Sequence, residues 1–337
     1  MNTYYLGLDI GGTKCAVVLG NEEIEIIERE EIPTDHTITA KENIEHMLKI
    51  CERYIKKYKD SGIFKSVGVS CGGPLDDKNG VILSPPNLPG WDEIPITSII
   101  EDRLKIHAFL QNDANACAVA EWKKGAGAGC KNMVFFTFGT GLGAGMILDG
   151  HLYSGTNGMA GEAGHIRLST TGPIGYGKEG SFEGYCSGGG IKDICRFLSE
   201  KRMPEKHTVV FDGKEYPIQE VNAKIIFDAA KKGDWYANEI VNLCAEYLGR
   251  GLAVIVDILN PERIILGSIF VRGEELLRKR MEEYLEKEAL KETNQVCRVV
   301  AAKLGESLGD VAALSVAVYG MENEYEQKEK FCRYNES

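Results

Sequence analysis

The chain opens on a short apolar run, Tyr4–Asp9, that ends in a carboxylate. Gly11-Gly12-Thr13 follows, and then a second apolar run, Cys15–Gly20. Apolar runs of this length broken by glycines read as strand, turn, strand. Glu23–Glu31 alternates and predicts a third strand. Over Ala40–Tyr58 the period changes, with Ile44, Met47, Leu48, Cys51 and Ile55 at helical spacing. Ser66–Cys71 reads as a buried strand closed by Gly72-Gly73-Pro74, and the proline-rich stretch Ser84–Pro95 as an ordered loop. A helix over Ile96–Leu104, a strand over Ala108–Gln111 and an Ala-rich helix over Ala114–Lys124 follow, with Asn112-Asp113 between the last two.

The strand–turn–strand pattern recurs at Met133–Phe138 and Gly143–Leu148, around Gly139-Thr140-Gly141. This leaves two readings open: a duplicated fold with a phosphate loop in each half, or a coincidence between two hairpins. The chain is then Gly-rich and irregular to about Gly190. Helices are predicted over Ile191–Lys201, Asn222–Lys232, Asp234–Asp257, Gly273–Leu290 and Leu308–Tyr319, with strands at Arg263–Leu266 and Cys297–Ala301. Glu322–Ser337 is polar and reads as a frayed tail.

Composition narrows the function. The 337 residues suggest two domains. With 39 basic and 50 acidic side chains the formal net charge is −11, which opposes binding to nucleic acid and to anionic membranes. No apolar run is long enough to span a bilayer, and Met1–Tyr5 does not begin a signal peptide. Ten cysteines are scattered without a C-x-x-C pair, so they read as core thiols of a cytoplasmic protein rather than as catalytic groups.

Four segments carry chemistry. In Asp9-Ile10-Gly11-Gly12-Thr13-Lys14, two glycines let backbone approach a ligand and offer amides to phosphate, while Asp9 at a strand end suits Mg²⁺, directly or through water. Phe138-Gly139-Thr140-Gly141-Leu142-Gly143 repeats that chemistry. Asp113 opens a helix, where an Asp is ordinarily a cap, but a rigid carboxylate there also suits a base for phosphoryl transfer. Gly161-Glu162-Ala163-Gly164-His165, with Glu183 downstream, combines carboxylates and an imidazole that suit a polyol.

Taken together, the ordered motifs resemble the ROK family (repressors, open reading frames and kinases) of the actin-like ATPase, or hexokinase–Hsp70–actin, superfamily. They are DIGGTK at 9–14, GVSCGGPLD at 68–76, PPNLPGW at 85–91, NDANACA at 112–118, FGTGLGAG at 138–145, GEAGH at 161–165, NPERIILG at 260–267 and LGD at 308–310. The resemblance implies a two-domain α/β fold of the actin-like ATPase, ribonuclease H-like kind with a central cleft. The expected division is a smaller domain over 1–115, a larger one over 116–325 and a tail over 326–337. Residues near 310–325 are expected to pack back on the first domain, although the helices Asp234–Asp257 and Leu308–Tyr319 are also assigned to the second.

The implied activity is an ATP- and Mg²⁺-dependent, glucokinase-like transfer to a sugar hydroxyl, O6, in a cytoplasmic homodimer. Gly11, Gly12, Thr13 and Lys14 would meet the ATP phosphates, with Gly139, Thr140 and Gly141 opposite, and Gly267 near the adenosine. Gly73, Asn87, Asn112, Asp113, Glu162, His165 and Glu183 would line the sugar, with Asp113 as the base. Glucose is the first expectation; allose, fructose, mannose and N-acetylhexosamines share the same anchors.

The chain departs from the family where many members carry three zinc-binding cysteines. Ile174, Tyr176 and Ser181 stand there, and none is a thiolate. The expectation is therefore no structural zinc, a purely sugar-binding His165, and a loop held by the packing of Ile174 and Tyr176. Ser268 stands where the family often has a second glycine, which bears on the adenosine contact. Two other functions belong to the same family picture. A sugar-responsive regulator would place a helix-turn-helix domain ahead of a glycine loop that here begins at residue 11. A silent sugar-binding protein would not need Asp9, Asp113 and both loops.

Overall fold

The computed structural model describes residues 1–202 and 205–335, with side chains to residue 326. Two compact units are present. One comprises Met1–Ala128, Leu152–Ala160 and Glu306–Ser337; the other comprises Gly129–His151 and Gly161–Gly305.

The first unit is built on five strands, β1 Asn2–Ile10, β2 Lys14–Gly20, β3 Ile26–Pro33, β4 Gly62–Cys71 and β5 His107–Asn112, in the order β3-β2-β1-β4-β5. The first three form an antiparallel meander, and β4 and β5 join parallel to β1 and to β4. The third strand starts later than its alternation predicts. Asn21 and Glu25 close a turn, with the Glu25 amide donating to Asn21 Oδ1 at 2.9 Å, and Ile24 adopts a positive φ of 59°. One face carries the helices Ala40–Tyr58 and Ile96–Leu104, both at their predicted bounds. Ile44, Met47, Leu48 and Cys51 bury against Leu6, Leu8, Val67 and Val69 of the sheet.

The other face carries the helix Leu308–Asn335. Its backbone comes so close that a Cβ on Gly68 would lie 2.2 Å from the Ala313 carbonyl oxygen and 2.3 Å from the Ala317 nitrogen. Ser66 Oγ donates to the Ala317 carbonyl at 2.9 Å. This helix belongs to the first unit, not the second. The polar segment from Glu322 is helical to Asn335, and Lys123 pairs with Glu322 at 2.6 Å; residues 336–337 of the expected tail lie outside the described residues. The boundary expected after residue 115 falls instead after Ala128. The helix Asp113–Lys124 stays with the first sheet because Trp122 packs edge-on against Tyr319, ring centroids 6.0 Å apart. Leu152–Ala160 joins it through the Leu152 amide, which donates to Tyr319 Oη at 2.9 Å.

The second unit repeats the sheet. Its sheet comprises β6 Met133–Phe136, β7 Ala144–Leu148, β8 His151–Leu152 (of which His151 falls in this unit), β9 Arg263–Leu266 and β10 Arg298–Ala301, in the order β8-β7-β6-β9-β10. In chain order within each unit both sheets read third, second, first, fourth, fifth, with the fourth and fifth strands parallel to the first. The recurring glycine turns are therefore a duplicated fold. The helices Gly188–Arg202, Ala223–Lys231, Trp235–Leu259 and Ile269–Glu288 share one core with the sheet, around Phe136, Phe182, Leu248 and Phe270. The last of these begins four residues before its predicted start and departs from helical geometry at Gly273.

Among the described residues no helix is long and apolar enough to cross a membrane. Nine cysteines are free thiols, seven of them buried, which fits their reading as core residues; the side chain of Cys332 lies outside the described ones. Gly68→Ala is expected to cost about 2–3 kcal/mol, because the added methyl overpacks the helix–strand contact. Urea unfolding that shows a lower midpoint with an unchanged slope checks this.

Candidate active site

Strand β5 ends at Asn112, and its parallel pairing with β4 carries that end to the same edge as Cys71. Asn112 is extended (φ −60°, ψ 145°), and its side chain accepts from the Ala114 amide at 2.9 Å. The capping role that a bare sequence gives to Asp113 thus falls to Asn112. Asp113 is the first helical residue, and its Oδ1 accepts from the same amide at 2.7 Å. The turn beneath is pinned by Asn115 Nδ2 donating to Gln111 Oε1, and by Gln111 Nε2 donating to Asp77 Oδ2, each at 3.2 Å. The Asp113 side chain is exposed to solvent, yet protein atoms are dense around its carboxyl. That crowding pushes its carboxyl above the usual aspartate range, against the downward pull of the Ala114 amide. Among the described residues no cation pairs with it.

Asp9 lies near the end of β1, one strand away from Ser70 on β4. Burial, then the neighbouring Asp310 and Asp113 carboxylates, push its pKa up to about 6, against Lys14 and Arg29. Helix Leu308–Asn335 starts beside it: a Cβ on Gly309 would stand 2.5 Å from Asp9 Oδ2. Arg29 fixes that helix end, its Nε donating to Asp310 Oδ2 at 2.6 Å and its Nη2 to Glu31 Oε2 at 2.6 Å. Lys14 Nζ also donates to Glu31 Oε2, at 2.8 Å, so the lysine expected at phosphate is tied to a carboxylate here. Sequence reasoning assigned nothing to Arg29, Glu31 or Asp310. Only the LGD motif touched one of them, and Arg29 and Asp310 are 281 residues apart.

In the Gly11–Thr13 turn, the Gly11 amide donates to the Lys14 carbonyl. Among the described residues the amides of Gly12 and Thr13 have no protein acceptor. A Cβ on Gly12 would meet the Asn87 carbonyl at 2.5 Å, so this glycine answers to the 85–91 loop as well as to any ligand. Asn87 in turn stands 3.5 Å from where a Gly72 Cβ would be, and Asn112 Nδ2 3.2 Å from that of Gly73. The structure therefore brings Asp9, Gly11, Gly12, Thr13, Gly73, Asn87, Asn112 and Asp113 to one edge of the first sheet.

The second unit gathers the remaining predicted residues. After β6, the loop Phe138–Leu142 closes with the Gly139 amide donating to Gly141 O at 3.0 Å. The amides of Thr140 and Gly141 have no protein acceptor among the described residues. Glu183, in the short helix Phe182–Tyr185, accepts from the Leu142 amide at 2.9 Å. It thereby ties the expected sugar residues to the glycine loop, and Phe182, fully buried against Phe136, anchors it. The Gly161-x-x-Gly164 spacing lets the Glu162–His165 turn lie on the backbone of Leu142 and Ala144, whose oxygens would be 2.5 and 2.1 Å from added Cβ atoms. Gly267 follows β9 and donates to Phe136 O at 2.9 Å. Ser268 has φ 46°, in the left-handed region that favours glycine.

The loop at the family's zinc positions is not held as the sequence suggested. Ile174 is 58% exposed and Tyr176 82% exposed, so neither packs the loop. The buried Ser181 holds it instead: Oγ donates to the Gly175 carbonyl at 3.3 Å and accepts from the Gly184 amide at 3.1 Å. A hydroxyl caps a helix well, and that local role explains a serine there.

A duplicated 3-2-1-4-5 sheet, with a carboxylate and a glycine turn at the strand ends, defines the actin-like ATPase class. Within it the chain belongs to the ROK family, whose model matches residues 5–318. It is 32% identical to a glucokinase of Halalkalibacterium halodurans, over 91% of this chain and 92% of that one. Among solved structures it is similar to a ROK hexokinase from Thermus thermophilus, with 28% identity, a TM-score of 0.78, and 95% and 99% of the two chains covered. It is also similar to a ROK family glucokinase from Streptomyces griseus in complex with glucose and AMPPNP, with 30% identity, a TM-score of 0.70, and 93% and 99% covered.

Two stability predictions follow from the site. The Asp9 carboxyl, raised to about 6, favours its protonated form in the folded chain, so folded wild type loses stability as pH rises from about 4 to about 6. Asp9→Asn removes that loss. In chelator-treated protein its advantage should be absent near pH 4 and grow to at most about 3 kcal/mol above pH 6, read from unfolding midpoints across pH. Ser268→Gly should raise stability by about 1 kcal/mol by relieving the left-handed backbone, read as a higher Tm.

Proposed function

We propose that the chain is an ATP-dependent hexose kinase that transfers the γ-phosphoryl group to O6 of the sugar, with Asp113 as the general base. Asp113 carries this reading. It is a carboxylate fixed at a strand end, with raised proton affinity and, among the described residues, no cation beside it. Phosphoryl transfer asks the protein chiefly to position groups and to accept one proton from the nucleophile. The O6 proton passes to Asp113, the oxygen bonds to the γ-phosphorus, and the bond from that phosphorus to the bridging oxygen of ADP breaks. The likeness to glucokinases along nearly the whole chain supports an ATP-dependent sugar kinase.

The open amides of Gly12 and Thr13 in the first unit, and of Thr140 and Gly141 in the second, suit phosphate oxygens. Gly267 serves the adenosine. Gly73, Asn87, Asn112, Glu162, His165 and Glu183 meet the sugar hydroxyls. Among the described residues no cage of three His, Cys, Asp or Glu ligands exists. That fits Mg²⁺, which is commonly held by one or two carboxylates together with substrate phosphates, and Asp9 is the carboxylate for it. Bound there, the ion would neutralise charge on the phosphates. Glucose is the proposed substrate, and a cytoplasmic homodimer the proposed state.

The test is a panel of hexoses with ATP and Mg²⁺, with phosphorus NMR of the product. Glucose 6-phosphate should form, 6-deoxyglucose should remain unphosphorylated, and EDTA should stop turnover. A chain that phosphorylates none of the hexoses refutes the reading, and a product phosphorylated elsewhere refutes O6.

A further inference from the structure

His165 ends the one-turn segment Ala163–His165 and is exposed. Its backbone is engaged on both sides: the amide donates to Glu162 O at 3.1 Å, and the carbonyl accepts from Lys178 Nζ at 2.7 Å. The imidazole is different. Among the described residues neither ring nitrogen has a protein hydrogen-bond partner. The ring instead meets Tyr176 edge to face, with centroids 6.4 Å apart and planes at 81°. That geometry lies within the favourable range for aromatic pairs.

Tyr176 holds a position that folding alone does not favour. It is the first central residue of the two-residue turn between the strands Ile174–Gly175 and Lys178–Glu179. Tyr176 and Gly177 have φ of 44° and 75°. Hairpin turns with two positive φ values select Asn, Asp or Gly at that first place. A bulky residue there is strained, and at 82% exposure burial does not offset the strain. Strain at an exposed aromatic points to a role in function. The turn is also held rigidly. Lys178 reaches back to His165, Arg167 Nη1 donates to Glu179 O at 2.6 Å, and the Gly172 amide donates to Glu179 Oε1 at 3.2 Å.

We infer that Tyr176 is a positioning residue for the hexose: its ring fixes the imidazole of His165, leaving both ring nitrogens to sugar hydroxyls. The inference rests on the hexose reading above, in which His165 meets the sugar. A ring held in its bound orientation loses less freedom when the sugar arrives, and that difference appears as affinity for the sugar alone.

The test uses full-length Tyr176→Asn and Tyr176→Phe. Asparagine suits the turn, so it removes the ring without disturbing the fold; phenylalanine keeps the ring. Glucose affinity is measured by calorimetry, which needs no turnover, beside the KM for ATP and the Tm. Tyr176→Asn should weaken glucose binding by about five- to tenfold, with the KM for ATP unchanged and the Tm equal or higher. Tyr176→Phe should bind within about twofold of wild type. In proton NMR the His165 ring resonances should shift in Tyr176→Asn and not in Tyr176→Phe, as the ring contact requires. Glucose binding by Tyr176→Asn within twofold of wild type overturns the inference, as does a Tyr176→Phe as weak as Tyr176→Asn. A wild type that binds glucose without phosphorylating it refutes the kinase reading and leaves this inference standing. A wild type that binds no hexose refutes both.

Discussion

A carboxylate with protein dense around it and, among the described residues, no cation to neutralise it is the constraint on which this account depends. Asp113 meets it at the first position of a helix whose cap is the residue before it. Asn112 takes the Ala114 amide with its side chain, and Gln111, Asn115 and Asp77 brace the turn beneath. Asp113 shares the Ala114 amide with Asn112, and the protein around its carboxyl outweighs that amide's downward pull on its proton affinity.

The same economy appears at Asp9. The helix Leu308–Asn335 lies on the sheet through glycine contacts, and its first turn ends against the Asp9 carboxylate. Arg29 holds that turn by Asp310 and shares Glu31 with Lys14. Two cations thus serve Asp310 and Glu31 rather than Asp9 itself. Burial and the neighbouring carboxylates outweigh the pull of these cations and raise the Asp9 pKa, which fits a group that receives its countercharge from a ligand. In the second unit Glu183 holds the Leu142 amide, which ties the short helix Phe182–Tyr185 to the glycine loop.

The sequence made local features legible wherever the period was strong. The helices Ala40–Tyr58 and Ile96–Leu104 and the strand Arg263–Leu266 have their predicted bounds. The repeated glycine turns correctly suggested a duplication, which only the strand order decides. Features set by distant partners were not legible. The helix from Leu308 joins the first sheet because Gly7 and Gly68 admit it, and no periodicity reveals which sheet a helix will meet. The Arg29–Asp310 pair spans nearly the whole chain. A missed hairpin, Thr208–Phe211 with Lys214–Pro217, did carry a signal, since Asp212-Gly213 is a favoured turn. At the family's zinc positions the packing role expected of Ile174 and Tyr176 was wrong. Ser181 is the structural residue there, while Ile174 and Tyr176 face solvent.

The central claim is that Asp113 takes the proton of the sugar hydroxyl. Its most direct test is a single-turnover measurement of sugar phosphorylation by Asp113→Asn, with hexose and ATP both saturating and glucose affinity measured in parallel. The account predicts a rate lower by about a thousandfold with glucose affinity close to that of wild type. A rate within about tenfold of wild type at full occupancy would contradict it.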